Sequence, residues 1–194
     1  MSFSKNDPEI NKIQLAKVES ITEVGEGTRV CIDLIDVLEP DEGVFVGNTG
    51  HGYCLLLSES IQTDTYPPRP FRVNAGAVHQ YILMDDDKTS YLSDLRPGIK
   101  VPVYKKEGQC RLVSIGRIKI EKRPMIRVSM SLDDVNITIT VQKADSVSIA
   151  SESKSKGISI ESLNIGDKVC CCFDQPGRHI GERVDEYINE LYMK

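Results

Sequence analysis

The sequence predicts a mainly β fold: two related small β-barrel-like units packed together, over about 15–92 and 93–194, behind a flexible leader at 1–14. Three observations carry this. Short Val- and Ile-rich segments with two-residue alternation recur along the chain, and Gly and Pro punctuate them. A turn unit of the form Leu-x-x-Gly-x-x-Val occurs twice within the second region. Helical spacing of apolar residues occurs convincingly only in GERVDEYINELYMK, where Val184, Ile188 and Leu191 fall at i, i+4 and i+7. A short C-terminal helix is expected there, with a final strand over VDEYINE as the alternative reading.

The elements follow in chain order. MSFSKNDPEINKIQ has no apolar period and reads as the leader. From Ala16, the segments VESITEV, TRVCIDLIDVL and GVFVGNT read as strands, broken at Gly25, Gly27, Gly43 and Gly47. GYCLLLSES is an apolar run of strand length. A turn at Pro67-Pro68 precedes RPFRVNAGAVHQYILM, which ends as a strand. DDDKTS is a polar turn, and RLVSIGRIKIEKRPMIRVSMSLDDVNITITVQKADSVSIA supplies at least four strand-like pieces. SESKSKG is a solvated loop, and SIESLNIGDKVCCCF approaches another strand.

The repeat aligns SDLRPGIKVPVY (93–104) with ESLNIGDKVCCC (161–172), so that Leu95, Gly98 and Val101 match Leu163, Gly166 and Val169. The physics of the unit is an inward Leu, a Gly in the tight turn, and a Val-rich strand after it. VLEPDEGVFVG is a weaker third copy. Such turns argue fold and not function.

Bulk properties narrow the function. The chain has 194 residues, 40% hydrophobic and 27% charged, the composition of an ordinary globular protein. Its net charge of -5 excludes a general attraction for nucleic acid or anionic membrane, so any anion site must be local. No apolar run reaches the roughly 20 residues that span a bilayer, and the polar N-terminus is no secretory signal. A cytoplasmic location is expected. Of the cysteines at 31, 54, 110, 170, 171 and 172, the last three are consecutive. Consecutive strand residues face opposite ways, so these cannot converge on one metal; small core residues in a reducing compartment are expected, with no metal site.

Three constellations carry candidate chemistry. In RPFRVNAGAVHQY, Arg69 and Arg72 offer guanidinium forks for a carboxylate or phosphate. Asn74 adds a donor and an acceptor, Gly76 permits close approach of a backbone or ligand, and His79 titrates near neutral pH. The structural alternative pairs an arginine with Glu59 or Asp64 across the turn and leaves His79 at a strand end. In GRIKIEKRPMIRV, Arg117, Lys119 and Glu121 share one strand face, either solvated or contacting a ligand. In QPGRHIGERVDEY, Arg178 and His179 sit in a glycine-flanked turn that either closes over an anion or is an exposed hairpin. His51 lies in GNTGHG, which lacks the ending of a phosphate loop, and EVGEG is too short for a dinucleotide fingerprint.

The segments RPFRVNAGAVHQY, KTSYLSDLRPG, GRIKIEKRPMI and GRHIGERVDEYI together resemble class II 3-dehydroquinate synthase, the archaeal-type enzyme, from about Leu15 to Glu190. TRVCIDLIDVLEPDEGVFVG looks like that family's segment farther upstream. The chain departs from the pattern at Leu34-Ile35-Asp36 and at Leu57, where the family carries polar residues and a histidine. The resemblance implies an NAD-dependent oxidoreductase that deaminates 2-amino-3,7-dideoxy-D-threo-hept-6-ulosonate and closes it to 3-dehydroquinate, in the shikimate route to chorismate and aromatic amino acids. It implies substrate binding by Arg69, Arg72, Asn74, Arg178 and His179. It implies catalytic parts for His79 as proton shuttle and for Lys119 as the group polarising the keto oxygen. Family members carry an α/β N-terminal domain ahead of this region, so the chain is expected to be a split subunit, a fragment or a diverged relative. The partners expected are an amino-keto sugar acid, a separate N-terminal catalytic subunit and a second copy of the chain. The competing expectation is a non-catalytic domain that binds sugar acids or serves in assembly.

Overall fold

The computed structural model describes residues 13–174 and the backbone of a small ladder pairing Arg178–His179 with Glu182–Arg183. The first twelve residues of the expected leader and the expected C-terminal helix lie outside the described residues.

The mainly β expectation holds. Twelve strands form one antiparallel sheet: β1 (Ile13–Leu34), β2 (Gly43–Gly47), β3 (Gly52–Leu57), β4 (Arg72–Ala77), β5 (Tyr81–Leu83), β6 (Thr89–Tyr91), β7 (Lys100–Tyr104), β8 (Cys110–Leu132), β9 (Val135–Gln142), β10 (Ser148–Ile149), β11 (Ile158–Ser159) and β12 (Lys168–Phe173). The spatial order is β11-β10-β3-β12-β1-β8-β7-β2-β5-β6; β4 joins β1, β9 joins β8, and a β2–β3 pairing returns the order on itself. Among the described residues no helix is long and apolar enough to cross a membrane.

Two strands are longer than their local signals indicate. VESITEV and TRVCIDL run together in β1, because a register shift between Glu23 and Gly25 absorbs the glycine break and the pairing with β8 continues. β8 likewise passes through Pro124, which sits opposite Glu26 just before β9 begins to pair at Met125. The outcome is a long β1–β8 ribbon through the middle of the sheet.

The spatial order reads the same from both ends when β1, β4, β5, β6 and β7 are matched with β8, β9, β10, β11 and β12, and β2 with β3. The chain is therefore an internal duplication, with the 35–71 segment, containing the β2–β3 hairpin, inserted between β1 and β4 of the first half. The turn units found in the sequence are the corresponding corners. Gly98 (φ 93) and Gly166 (φ 97) both take the left-handed turn, which glycine adopts without a Cβ penalty. The Gly98 N–H donates to Ile115 O on β8, and the Gly166 N–H to Val18 O on β1. Leu95 and Leu163 are buried beside them. Gly43, in the weaker third copy, opens β2 without a left-handed turn.

The core forms where both faces of the central hairpin are covered. On β2 and β3, Val44, Val46, Cys54 and Leu56 join one apolar cluster, while Phe45, Tyr53, Leu55 and Leu57 join a second. This explains why GVFVG and GYCLLL read as unbroken apolar runs. The consecutive cysteines obey the same alternation: Cys171 faces the first cluster, and Cys170 and Cys172 the second.

Gly76 is required by a neighbouring backbone. It has φ 90, and a Cβ there would lie 2.3 Å from Thr140 O on β9 and 2.6 Å from Gln80 Nε2. Gly76→Ala is expected to cost at least about 2 kcal/mol in urea denaturation. Unchanged stability would show that β4 and β9 do not approach this closely.

Candidate functional site: an arginine-lined pocket on β4, β1 and β8

Period-two alternation and strand register build the site. Across β4, β1 and β8 the cross-strand rows are Arg72–Asp33–Arg117, then Asn74–Cys31–Lys119, with Arg29 opposite Glu121 one step further along. These side chains share one sheet face. The inserted segment covers that face with Glu59, Tyr66 and Arg69, and Gln142 and Ser146 complete the wall. The cavity, open on one side, has a volume of about 130 Å³.

Arg69, Arg72, Asn74 and Lys119, drawn from two separate constellations, thus meet in one pocket. His79 does not line it; its Nε2 lies 2.8 Å from Asn48 Oδ1 in the turn after β4, and burial pushes its pKa down. The side chains of Arg178 and His179 lie outside the described residues.

The arginine forks are already engaged. Arg72 donates through Nε (2.7 Å) and Nη2 (3.1 Å) to the two oxygens of Asp33, and Arg117 Nε donates to Asp33 Oδ2 at 2.7 Å. Burial pushes the Asp33 carboxyl up, but its two arginines outweigh that and hold it below the ordinary range. Arg69 Nη2 lies 2.7 Å from Glu59 Oε2, as the structural alternative anticipated, and its guanidinium carbon stands 4.6 Å from the Tyr66 ring centroid. Burial pushes the Glu59 carboxyl up, against the pull of Arg69 and Arg72. Arg29 reaches Glu121 at 3.4 Å and donates to Cys31 Sγ; Arg123 also pairs with Glu121. Burial pushes the Cys31 thiol up to about 11, so it stays protonated at neutral pH.

Two features set the pocket apart. Five cations (Arg29, Arg69, Arg72, Lys119, Arg123) and two carboxylates (Glu59, Glu121) line it, a surplus of three positive charges, or two once Asp33 beneath Arg72 is counted. That surplus sits in a chain of net charge -5. Among the described residues, the buried side-chain atoms Arg29 Nε, Arg69 Nε and Asn74 Oδ1 have no hydrogen-bond partner, and all three residues line this one cavity. Such groups cost free energy when left unsatisfied, so their concentration in one place calls for a polar occupant.

The duplication supplies an internal control. TRVCIDL on β1 corresponds to IRVSMSL on β8, and Asp33 opposite Arg72 becomes Ser131 opposite Asn136. Cys31 becomes Ser129, which stands opposite Ser20, while Thr22 faces Arg127. The corresponding cleft is lined by Glu19, Ser20, Thr22, Ser129, Ser131, Asp134 and Asn136, and holds about 530 Å³. It has no cation among its lining residues. The turn between β8 and β9 has only Asp133 and Asp134, with no inserted segment to cover it. The same framework therefore folds without Asp33 and Arg72, so that pair is not a requirement of the architecture, whereas Arg29 keeps a counterpart in Arg127.

Arg29 and Glu59 were not among the site residues read from the sequence. The signal for Arg29 is a charge in phase with Cys31 and Asp33 along TRVCIDL. Glu59 was noted only as an internal partner for an arginine.

The arginine pocket does not fit a dinucleotide. The 130 Å³ pocket is below the roughly 300 Å³ at which pockets for drug-sized ligands begin. A third cleft of about 460 Å³ is lined by Asp36, Glu39 and Glu42, whose partners Lys105 and Arg111 are spent on them. Gly25 and Gly27 lie inside β1 and not between a strand and a helix.

Comparison with known proteins gives a consistent picture. A family model described as the 3-dehydroquinate synthase II C-terminal domain matches residues 15–191. A 3-dehydroquinate synthase of Methanococcus maripaludis is 41% identical over 179 residues, 92% of this chain and 49% of the relative. That of Methanosphaera stadtmanae is 36% identical over 187 residues, covering 96% and 51%. That of Methanopyrus kandleri is 39% identical over 177 residues, covering 90% and 44%. The chain spans about half the length of these curated relatives. No solved structure matches it.

The two buried carboxyls predict opposite pH effects. Asp33, held below its ordinary value, contributes stability that is present at neutral pH and is lost as pH falls below about 4. Asp33→Asn should cost about 3–5 kcal/mol at pH 7 in urea denaturation, because Arg72 is left buried and uncompensated. Glu59, raised above its ordinary value, contributes only in acid and loses that contribution as pH rises. Glu59→Gln should therefore melt higher than the parent at pH 7, with the gap closing toward pH 4. The reverse order at pH 7 would show Glu59 to be a stabilising ion pair.

Proposed function

The chain belongs to the 3-dehydroquinate synthase II family through its C-terminal domain, and from that premise we propose that it supplies the acid-binding half of an enzyme of that type. The observation that carries this is the positive pocket containing the orphaned guanidinium Nε–H groups of Arg29 and Arg69. The substrate is the amino-keto sugar acid of the family's reaction, and its carboxylate docks against these two groups. Lys119, in the row beside Asn74, adds charge at the mouth and lies nearest to Glu121 at 3.6 Å. Asp33 positions Arg72 with a bidentate grip that the ligand does not have to displace.

NAD supplies hydride acceptance in this reaction class. Its binding site is assigned to the portion of the relatives that this chain does not span, since the arginine pocket, at about 130 Å³, is too small for it. The working enzyme is thus a partnership of this half with an α/β half, in the cytoplasm. The poor fit to NAD also favours a second reading, a sugar-acid-binding domain without catalysis.

One experiment separates the two. The chain, alone and mixed with a separately produced N-terminal half of the Methanococcus maripaludis relative, is given the amino-keto acid and NAD, and nicotinamide absorbance is followed. A flat trace alone and turnover in the mixture are expected. Lys119→Ala should lower kcat/KM in the mixture about tenfold, mostly through KM. No turnover in the mixture, with acid binding retained by the chain alone, would favour the binding domain.

A further inference from the structure

Between its pairings with β7 and β9, β8 has a neighbouring strand on one side only. β7 covers Cys110–Tyr104 through Ser114–Lys100, and β9 covers Met125 to Leu132. Among the described residues, Arg117 to Arg123 pair with β1 alone. The open side can be read from β1. Thr28 O accepts from Val78 N at 3.1 Å, and Leu34 N donates to Phe71 O at 2.8 Å, so even-numbered residues of β1 turn their peptide groups toward β4. Arg29, Cys31 and Asp33 therefore turn theirs toward Glu121, Lys119 and Arg117. The peptide groups of Ile118, Ile120 and Lys122 point the other way, into an unpaired edge. Among the described residues only Lys122 O meets a donor there, Arg123 Nη1 at 2.7 Å. Apolar side chains flank the edge. Ile120 is 53% exposed, and Ile35, 71% exposed, lies over Gly116 with its Cγ2 3.0 Å from where a Cβ would stand. Such an edge is a template for a further strand.

We infer that this edge is a twofold interface between two copies of the chain, with β8 pairing antiparallel to β8 and Ile120 facing its own counterpart. The order of charges selects the occupant. With Ile120 on the axis, Lys119 of each copy stands opposite Glu121 of the other. Centring on Lys119, Glu121 or Lys122 sets like charges face to face, and centring on Ile118 sets Lys119 against Arg117. The favoured register also places Ile118 opposite Lys122, which gives about six backbone hydrogen bonds in all. Arg117 and Arg123 meet at the two ends, each already paired within its own copy, with Asp33 and with Glu121. The corresponding stretch of β1 offers no such match. A register shift between Glu23 and Gly25 interrupts it, and its charges, Glu23 and Glu26, are both acidic. Lys119 and Glu121 line the arginine pocket, so the pairing brings a lysine of the second copy to the pocket's rim. This inference stands apart from the carboxylate-binding reading above.

Sedimentation velocity on the whole chain should show a dimer that dissociates on dilution. Residue-resolved amide hydrogen exchange is then followed across the same range. Exchange at Ile118, Ile120 and Lys122 should be about tenfold or more slower in the dimer, while Lys119 and Glu121, bonded to β1, stay protected throughout. Lys119→Glu and Glu121→Lys should each be monomeric alone and should dimerise when mixed in equal amounts, because each supplies the charge the other lacks. Circular dichroism establishes that both variants are folded; if either is not, exchange in the parent chain decides alone. A monomer at every concentration would overturn the inference. So would a dimer in which the three outward amides exchange as fast as in the monomer. Protection of those amides that appears only on adding the N-terminal half of the Methanococcus maripaludis relative would assign the edge to that half and overturn the second copy as its occupant.

Discussion

The β1–β8 ladder sets the position of almost every group discussed above. Its register places Asp33 across from Arg117, Cys31 across from Lys119 and Arg29 across from Glu121. A slip of one residue would turn each of these to the opposite face of the sheet and send Val30 and Ile32 out of the core. Burial of Val30 and Ile32 on the inner face therefore fixes, through strand alternation, the alignment of charges on the outer one. β4 adopts the same discipline by pairing Arg72 with Asp33 and Asn74 with Cys31. Hydrophobic burial holds the register, and the register assembles the polar site.

Electrostatics then decides what that site does. A buried ion pair is weak evidence for stability, because desolvation offsets most of its attraction. The Arg72–Asp33 pair is better understood as scaffolding that keeps a guanidinium in place beside the cavity. The second half of the chain reaches the same backbone arrangement with Ser131 and Asn136 in place of Asp33 and Arg72, which removes any need to credit that pair to folding. The inserted segment breaks the symmetry further. It brings Glu59, Tyr66 and Arg69 over one cleft and leaves the other open.

Much of this was legible before any coordinates. Leu95, Gly98 and Val101 against Leu163, Gly166 and Val169 revealed a repeat, because corner turns constrain residue type locally. The repeat extends into β1 and β8, where TRVCIDL and IRVSMSL keep Arg, Val and Leu at matching positions, but matching two such short strands needs the sheet order as a guide. Long strands were read as short ones, since glycine and proline break a ladder in isolation but not where two neighbours and a register shift accommodate them. Arg69, Arg72, Asn74 and Lys119 stand out by their chemistry, and the fold brings them into one pocket. His79 looked equally suitable by residue type, yet the turn after β4 carries it to Asn48.

The sequence by itself determined the β class, the corner turns, the placement of the consecutive cysteines on alternate faces and the family. All of these follow from local periodicity or from residue identity at fixed spacing. Only the tertiary structure decided which charges meet and which cancel. Asp33 is separated from Arg72 by 39 positions and from Arg117 by 84, and no local rule couples groups so far apart. Their pairing is a consequence of strand register, and register is set by the packing of the whole sheet.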